Sequence, residues 1–305
     1  FPTHIKISPK PEVKATIDYL LINAAECEPY LTPDVREILE DSENIVEGMK
    51  MVAKLLDVKN AVIGIEDNKP EAIKLMTERL AQVKIDGINF KVETLPSRYP
   101  QGAEKVLIDQ CTGRQVPPGK LPSDVGCVVM NVTSIAVLAN YVATGMPLTT
   151  KRLTVDGSAI SEPKNVRVPI GTPIKDIVEF CGGYKEEPQK LIMGGPMMGT
   201  LVFDAAYPVL KNNNALLAFD ESQTVVEPEH PCIRCGRCMQ NCPYHLMPRQ
   251  IEKAYESENI AMLQKLKVML CMECGCCSFV CPAKRNLTFT NKMAKQMLRA
   301  ATAKK

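Results

Sequence analysis

Short apolar runs alternating with longer stretches of helical period mark the first half of the chain. The runs D-Y-L-L-I-N (18–23), A-V-I-G-I-E-D (61–67) and N-F-K-V-E-T-L (89–95) read as strands, whereas Pro33–Leu56 and residues 70–83 place apolar side chains three and four apart behind an early proline. Strand and helix in alternation predict right-handed crossovers and a parallel sheet with helices on its faces. In such sheets the loops just after the strands hold ligands. Residues 125–146 are uncharged and long enough to raise a membrane span. Asn131, Thr133, Ser134, Asn140, Tyr141 and Thr144 interrupt that stretch, and it divides into a strand at 126–130 and a helix at 134–142.

The texture then changes. R-L-T-V-D-G-S-A-I (152–160), N-V-R-V-P-I-G (165–171), K-L-I-M-G-G (190–195) and A-L-L-A-F (215–219) predict short strands with many turns, and Ile174–Phe180 predicts one helix. A polar, proline-containing stretch at 220–231 reads as a linker, and residues 291–301 as a closing basic helix. The expected organisation is an α/β parallel-sheet domain over 1–147, a small α+β module over 148–220 and a mostly helical domain over 221–305.

Charge and cysteine usage sharpen this picture. Residues 228–305 hold 13 Lys/Arg against 5 Asp/Glu, leaving 24 against 30 for the rest. Two runs within that basic segment, C-I-R-C-G-R-C-M-Q-N-C-P (232–243) and C-M-E-C-G-C-C-S-F-V-C-P (271–282), both follow C-x2-C-x2-C-x3-C-P. The two-residue gaps let one tight loop present three sulfurs to three corners of an iron–sulfur cube. The cysteine before proline leaves the loop for the other cube. Cys232, Cys235, Cys238 and Cys281 are therefore expected on one [4Fe-4S] cluster, and Cys271, Cys274, Cys277 and Cys242 on a second. Structural zinc uses C-x2-C pairs too, but needs only four ligands per ion and gives no reason for two duplicate runs ending in proline.

With thiolate-bound clusters nearby, the local basic excess offsets cluster charge, so nucleic acid is not expected as a partner. Cysteines in two tight runs also argue for a reducing compartment rather than a disulfide framework. Cys276 breaks the ligand spacing and reads as packing. Cys27, Cys111, Cys127 and Cys181 read as isolated buried thiols, although Cys27 sits in a loop of interest. His4, His230 and His245 are scattered, and G-G-P-M-M-G (194–199) reads as a turn.

Cubanes move single electrons, so a hydride donor needs a flavin to divide its pair. Candidate loops follow strand ends: N-A-A-E-C-E-P (23–29) and Y-P-Q-G-A-E (99–104). On residue types alone, Asn23, Glu26 and Glu28 are equally a loop of helix-capping polar groups.

F-P-T-H-I-K-I, I-N-A-A-E-C-E-P-Y-L-T, I-E-D-N-K-P-E-A-I, S-R-Y-P-Q-G-A-E-K-V-L-I, G-G-P-M-M-G and the two cysteine runs cover nearly the whole chain. Together they resemble the C subunit of the Rnf ion-translocating electron transport complex, itself similar to the flavin-bearing NADH dehydrogenase subunit of respiratory complex I. The resemblance implies bound FMN, NADH as substrate, two [4Fe-4S] clusters, ferredoxin and other membrane subunits as partners, and a peripheral place on the cytoplasmic face. It makes the middle module β-grasp-like, of the SLBB type.

Carried onto this chain, the resemblance implies Lys6 as a phosphate or flavin contact. Asn23, Glu26 and Glu28 would lie at the isoalloxazine edge, Tyr99, Gly102 and Glu104 along the ring, and Asn131 and Ser134 at the ribityl or phosphate end. The family's glycine-rich run, expected immediately before Phe1, is absent, which implies a truncated chain. The activity implied is an oxidoreductase and translocase component of NADH:ferredoxin type, with no acid–base catalytic residue. A corrinoid-reducing flavoprotein of a metabolic microcompartment, or a non-catalytic iron–sulfur relay module, are the alternatives.

Overall fold

In the computed structural model, residues 2–303 are described; Phe1 of the F-P-T-H-I-K-I run and the two C-terminal lysines lie outside them. Two compact units result. One runs to Gly195 and includes Thr200–Asp220, and the other comprises Pro196–Gly199 and the chain from Glu221 onward.

The first unit opens with two short helices, α1 (Thr3–Ile7) and α2 (Pro11–Lys14), followed by β1 (Tyr19–Ala24), α3 (Pro33–Leu56), β2 (Asn60–Glu66), α4 (Pro70–Ala81), β3 (Asn89–Leu95), α5 (Glu104–Thr112), β4 (Cys127–Asn131) and α6 (Val132–Thr144). All four strands are parallel, in the order β3-β2-β1-β4. Both sheet faces are covered, which is why β1 and β2 read as continuous apolar runs. Leu20, Ile22 and Ile63 pack with Met49, Val52 and Ile135 of α3 and α6, while Leu21, Val62 and Val129 turn to the opposite face with Leu107 and Ile108. The α3–α6 crossing is close because Gly48 lacks a side chain: a Cβ there would stand 2.3 Å from the Ile135 carbonyl oxygen. α3 is kinked at Asp41, whose backbone is not helical. The uncharged stretch at 125–146 is divided between β4 and α6, and no helix among the described residues is long and apolar enough to cross a membrane.

Within the same unit a second sheet follows: β5 (Thr150–Asp156), β6 (Lys164–Pro169), β7 (Lys190–Met193), β8 (Thr200–Val202) and β9 (Ala215–Phe219), in the order β6-β5-β9-β7-β8. Its β5–β9 pair is parallel and its other pairs are antiparallel. Helix α7 (Ile174–Phe180) closes one face through Ile174, Ile177 and Val178 on Leu153, Val155 and Leu216. Edge strand β8 is the strand of this sheet that the sequence pattern does not predict, since three residues after a glycine-rich turn leave no alternation to read.

The second unit contains α8 (Arg237–Gln240), α9 (Pro248–Glu256), α10 (Ile260–Lys265), α11 (Cys276–Phe279) and α12 (Leu287–Ala303). The apolar period of residues 250–269 does not form one helix, because Glu258 adopts a left-handed backbone (φ 50°) and Asn259 caps a new helix by accepting from the Met262 N–H at 2.9 Å. The unit is built twice. From Cys232 to Cys271 the chain repeats at an interval of 39 residues. Positive-φ residues fall in matching pairs at that interval: Arg234 with Glu273, Gly236 with Gly275, His245 with Lys284. Helices α8 and α11, and α9 and α12, begin in step with the same interval.

Candidate functional site

The carboxyl ends of β1, β2 and β3 open into a cleft whose lining includes Glu26, Glu28, Leu31, Val35, Leu39, Glu66, Lys69 and Tyr99. Glu26 stands at the base of α3: its Oε1 accepts from the Asp34 N–H at 2.9 Å and its Oε2 from the Val35 N–H at 3.3 Å. The helix N-terminus thus supplies two otherwise unpaired donors to one carboxyl. Burial, with the neighbouring Asp34 charge in second place, nevertheless pushes Glu26 up to about 8. Asp34 is also raised by burial, against hydrogen bonds from Asn131 Nδ2 (2.9 Å) and Thr133 Oγ1 (3.0 Å). Beside them Lys69 Nζ donates to Glu66 Oε2 at 2.8 Å and to the Glu26 carbonyl at 3.3 Å. The Lys151 ammonium is lowered by burial.

Of the nine residues expected at a flavin, Glu26, Glu28 and Tyr99 line this cleft. Glu28 lies against Gly195, where a Cβ would stand 2.3 Å from its Oε2. The other six form three polar joints around the strand ends. Lys6 Nζ donates to Glu104 Oε1 (2.9 Å) and to the Val129 carbonyl (2.7 Å), Asn23 Nδ2 donates to the Gly102 carbonyl (2.8 Å), and Asn131 Oδ1 caps α6 by accepting from the N–H groups of Thr133 (2.9 Å) and Ser134 (3.4 Å). Gly102 admits no side chain, because a Cβ would meet the Ala25 carbonyl at 2.3 Å. Cys27 lines the cleft and accepts from the Gly102 N–H at 3.3 Å; burial raises its thiol. Asp34, Glu66, Lys69, Thr133 and Lys151 shape the electrostatics, and sequence reasoning does not single them out. For Glu66 and Lys69 a signal exists, in the I-E-D-N-K-P run.

The cleft offers apolar faces (Leu31, Val35, Leu39, Tyr99) and carboxyl acceptors, a set that suits a flat ring bearing N–H donors and hydroxyl groups. Its cations are engaged within the protein, Lys69 with Glu66 and Arg98 with Gln101 at 3.1 Å, so neither is set aside for a phosphate. The residues therefore fit the ring and sugar-like portion of a flavin or nicotinamide.

In the second unit, a small cavity of about 20 Å³ is lined by Cys242 together with Cys271, Cys274, Cys276 and Cys277, with Thr288 and Asn291 on its wall. The last cysteine of the first run thus meets the first three of the second. On the other side burial raises the Cys238 thiol, and the charges of Cys281 and Cys232 lie near enough to add to it. Backbone N–H groups face the sulfurs: Arg234 N–H donates to Cys232 Sγ and Leu246 N–H to Cys242 Sγ, both at 3.4 Å. Burial raises Cys271 and pushes Cys277 up to about 11, whereas a hydrogen bond with Cys276 brings Cys274 down to about 6. Cys242 beside Cys271, Cys274 and Cys277, and Cys238 near Cys232 and Cys281, with N–H donors turned to sulfur, suit anionic iron–sulfur cubes. Cys111, Cys127 and Cys181 are buried in apolar cores, as expected for packing thiols.

Known proteins agree with both halves. Residues 1–140 match the Nuo51 FMN-binding domain, 152–201 the SLBB domain and 231–285 the 4Fe-4S dicluster domain. The C subunit of the proton-translocating ferredoxin:NAD(+) oxidoreductase complex of Clostridium ljungdahlii is 46% identical over 251 residues, covering 82% of this chain and 53% of that protein. Its Na(+)-translocating counterpart from Acetobacterium woodii is 40% identical over 260 residues (85% and 57%), and the C subunit of the ion-translocating oxidoreductase complex of Rhodobacter capsulatus is 39% identical over 269 (88% and 51%). The chain belongs to this C-subunit family. It spans about half the length of the curated relatives it matches. A crystal structure of NAD+-reducing [NiFe]-hydrogenase in the H2-reduced state shares the fold, with a TM-score of 0.63 at 17% identity over 98% of this chain and 57% of that one. The air-oxidized state gives 0.66. Membership of this family favours the membrane-complex reading over the corrinoid-reducing one.

Proposed function

We propose that this chain is the flavin and iron–sulfur core of a component that exchanges electrons between NADH and ferredoxin within an ion-translocating complex, docked peripherally on the cytoplasmic face of the membrane. The observation that carries the reading is the crossing of the two cysteine runs, with Cys242 beside Cys271, Cys274 and Cys277. When bound, FMN supplies the conversion between a hydride pair and single electrons, and the clusters carry those electrons one at a time.

The chain's own residues do the rest. Tyr99 and the apolar wall of Leu31, Val35 and Leu39 hold a ring flat, Glu28 accepts from its donors, and Glu26 keeps a proton within the cleft at neutral pH. Asn23, Gly102 and Ala25 fix the loop that carries these groups. Lys6, Glu104, Asn131 and Ser134 border the same strand ends, where the rest of the cofactor would lie. The division into 1–147 (flavin/NADH), 148–220 (SLBB-type) and 221–305 (ferredoxin-like), and the assignment of Cys232, Cys235, Cys238 and Cys281 to one cluster and Cys271, Cys274, Cys277 and Cys242 to the other, belong to this proposal.

Anaerobic purification with iron, sulfide and flavin assays tests it. About eight irons per chain with broad absorbance near about 400 nm is expected, together with FMN released on denaturation and NADH-dependent bleaching. A colourless, zinc-loaded preparation overturns the cluster assignment. Clusters that bleach with dithionite but never with NADH, in a chain holding no flavin, leave the relay alone.

A further inference from the structure

The duplicated second unit places different side chains at equivalent points beside its two thiol sets. On α12, Asn291 is 1% exposed and lies on the wall of the cavity that Cys242, Cys271, Cys274 and Cys277 share. Its Nδ2 faces Cys271 Sγ at 3.8 Å, while its Oδ1 is buried with no hydrogen-bond partner. Burying an acceptor without a partner is unfavourable, so this orientation needs a reason. A thiolate supplies one: it repels a carbonyl oxygen and attracts an amide N–H. One turn further on, Lys295 Nζ donates to the Cys271 carbonyl at 2.7 Å and to Glu273 Oε1 at 2.5 Å. At the 39-residue interval the matching positions on α9 are Glu252 and Glu256. Glu252 has no amide hydrogen to give and is turned to Arg249 and Arg285.

We propose that Asn291 is a positioning residue that tunes one cluster and not the other: its amide hydrogen bond to the Cys271 sulfur makes the cluster beside it more easily reduced than the same site would be without it. Reduction adds one electron and no proton, so the extra negative charge spreads onto the ligand sulfurs, and a donor fixed on one sulfur stabilises the reduced form more than the oxidised one. Lys295 reinforces the effect by holding a positive charge at the backbone of the same ligand. The inference rests on the proposed cluster assignment.

The test uses the full chain purified without oxygen, with iron counted before the two cluster potentials are measured by spectroscopically monitored reduction. In Asn291→Leu, one of the two potentials falls, by at least a tenfold change in the one-electron equilibrium or about 59 mV, and the other stays. Asn291→Ser, which keeps a donor in a smaller side chain, lies between, and Lys295→Met lowers the same potential without touching the Asn291 amide. Iron-replete Asn291→Leu and Asn291→Ser with both potentials unchanged, or with both shifted equally, overturns the inference while leaving the cluster assignment intact. A parent chain without iron overturns both.

Discussion

Glu26 offers a measurable consequence of the cleft's electrostatics. Its carboxyl accepts two helix N–H groups yet is pushed from an ordinary 4.5 up to about 8, because burial and the neighbouring Asp34 outweigh them. Below about pH 4.5 folded and unfolded chains both bind the proton and the group has no effect on stability. Between about 4.5 and 8 the unfolded chain releases it while the folded chain retains it, so stability falls as pH rises, by at most about 1.4 kcal/mol per unit. Above about 8 the loss is complete at roughly 5 kcal/mol, an upper bound because Asp34 shares the same enclosed space and relaxes with it. The direct assay is the infrared carbonyl band of a protonated carboxyl, recorded from pH 5 to 9 and compared with Glu26→Gln. The parent should lose one such band across pH 7–9. Glu26→Gln should lack it and should show a flatter dependence of thermal midpoint on pH, gaining on the parent at pH 8 and above. An unchanged spectrum between parent and variant in this window would refute the reasoning, since it would mean that the helix N-terminus dominates and Glu26 is ionised at neutral pH.

Three further outcomes follow from particular contacts. If the cysteine runs exchange their last ligand, Cys242→Ser combined with Cys271→Ser should cost no more iron than either alone, about four per chain, whereas Cys242→Ser with Cys232→Ser should remove nearly all of it; the reverse pattern in the iron assay would mean unexchanged loops. Gly102→Ala drives a Cβ into the Ala25 carbonyl and disturbs the Asn23 bond, so it should destabilise by about 1–3 kcal/mol and weaken FMN retention in gel filtration more than NADH-independent cluster reduction. Removing Glu252, whose side chain is 5% exposed, takes the nearest carboxylate from Arg285 and Arg249, which keep Glu256 and, for Arg285, Glu229; Glu252→Ala should cost about 1–3 kcal/mol, read as earlier loss of cluster absorbance on heating.

The parallel sheet was legible because its strands are buried on both faces. Leu20 to Ile22 supply both cores at once, and such runs between proline-led helices admit few other arrangements. The approach of Cys242 to the second cysteine run was legible for a different reason: ligand spacing is dictated by cluster geometry rather than by neighbours far along the chain. What escaped is in one place a local backbone detail and elsewhere a matter of contacts between distant segments. The division at Ser257 to Asn259 turns on one left-handed residue and one cap, which leave the apolar period on either side intact. Asp34 and Lys151 look like ordinary surface charges, and only the approach of Thr133, Asn131 and the second sheet encloses them. Asn291 reads as a helix residue until the cavity wall places its amide on a sulfur.

The alternative between capping and ligand binding, open for Asn23, Glu26 and Glu28 on sequence alone, dissolves for Glu26 at the strand ends. Glu26 caps α3 and Asn131 caps α6, and each does so from a loop that follows a strand. Helix N-termini at that edge present N–H groups whether or not a ligand is near, and the residues that satisfy them in its absence are the ones placed to exchange those contacts in its presence. The switch between β1 and β4, where a doubly wound sheet binds its ligand, is spanned by Lys6 reaching from α1 to the Val129 carbonyl and Glu104. The open cleft lies instead over β1, β2 and β3. For the proposed cofactor, the cleft offers acceptors and apolar walls to a flat ring, while Lys6 at the switch point would have to exchange Glu104 to meet a charged tail.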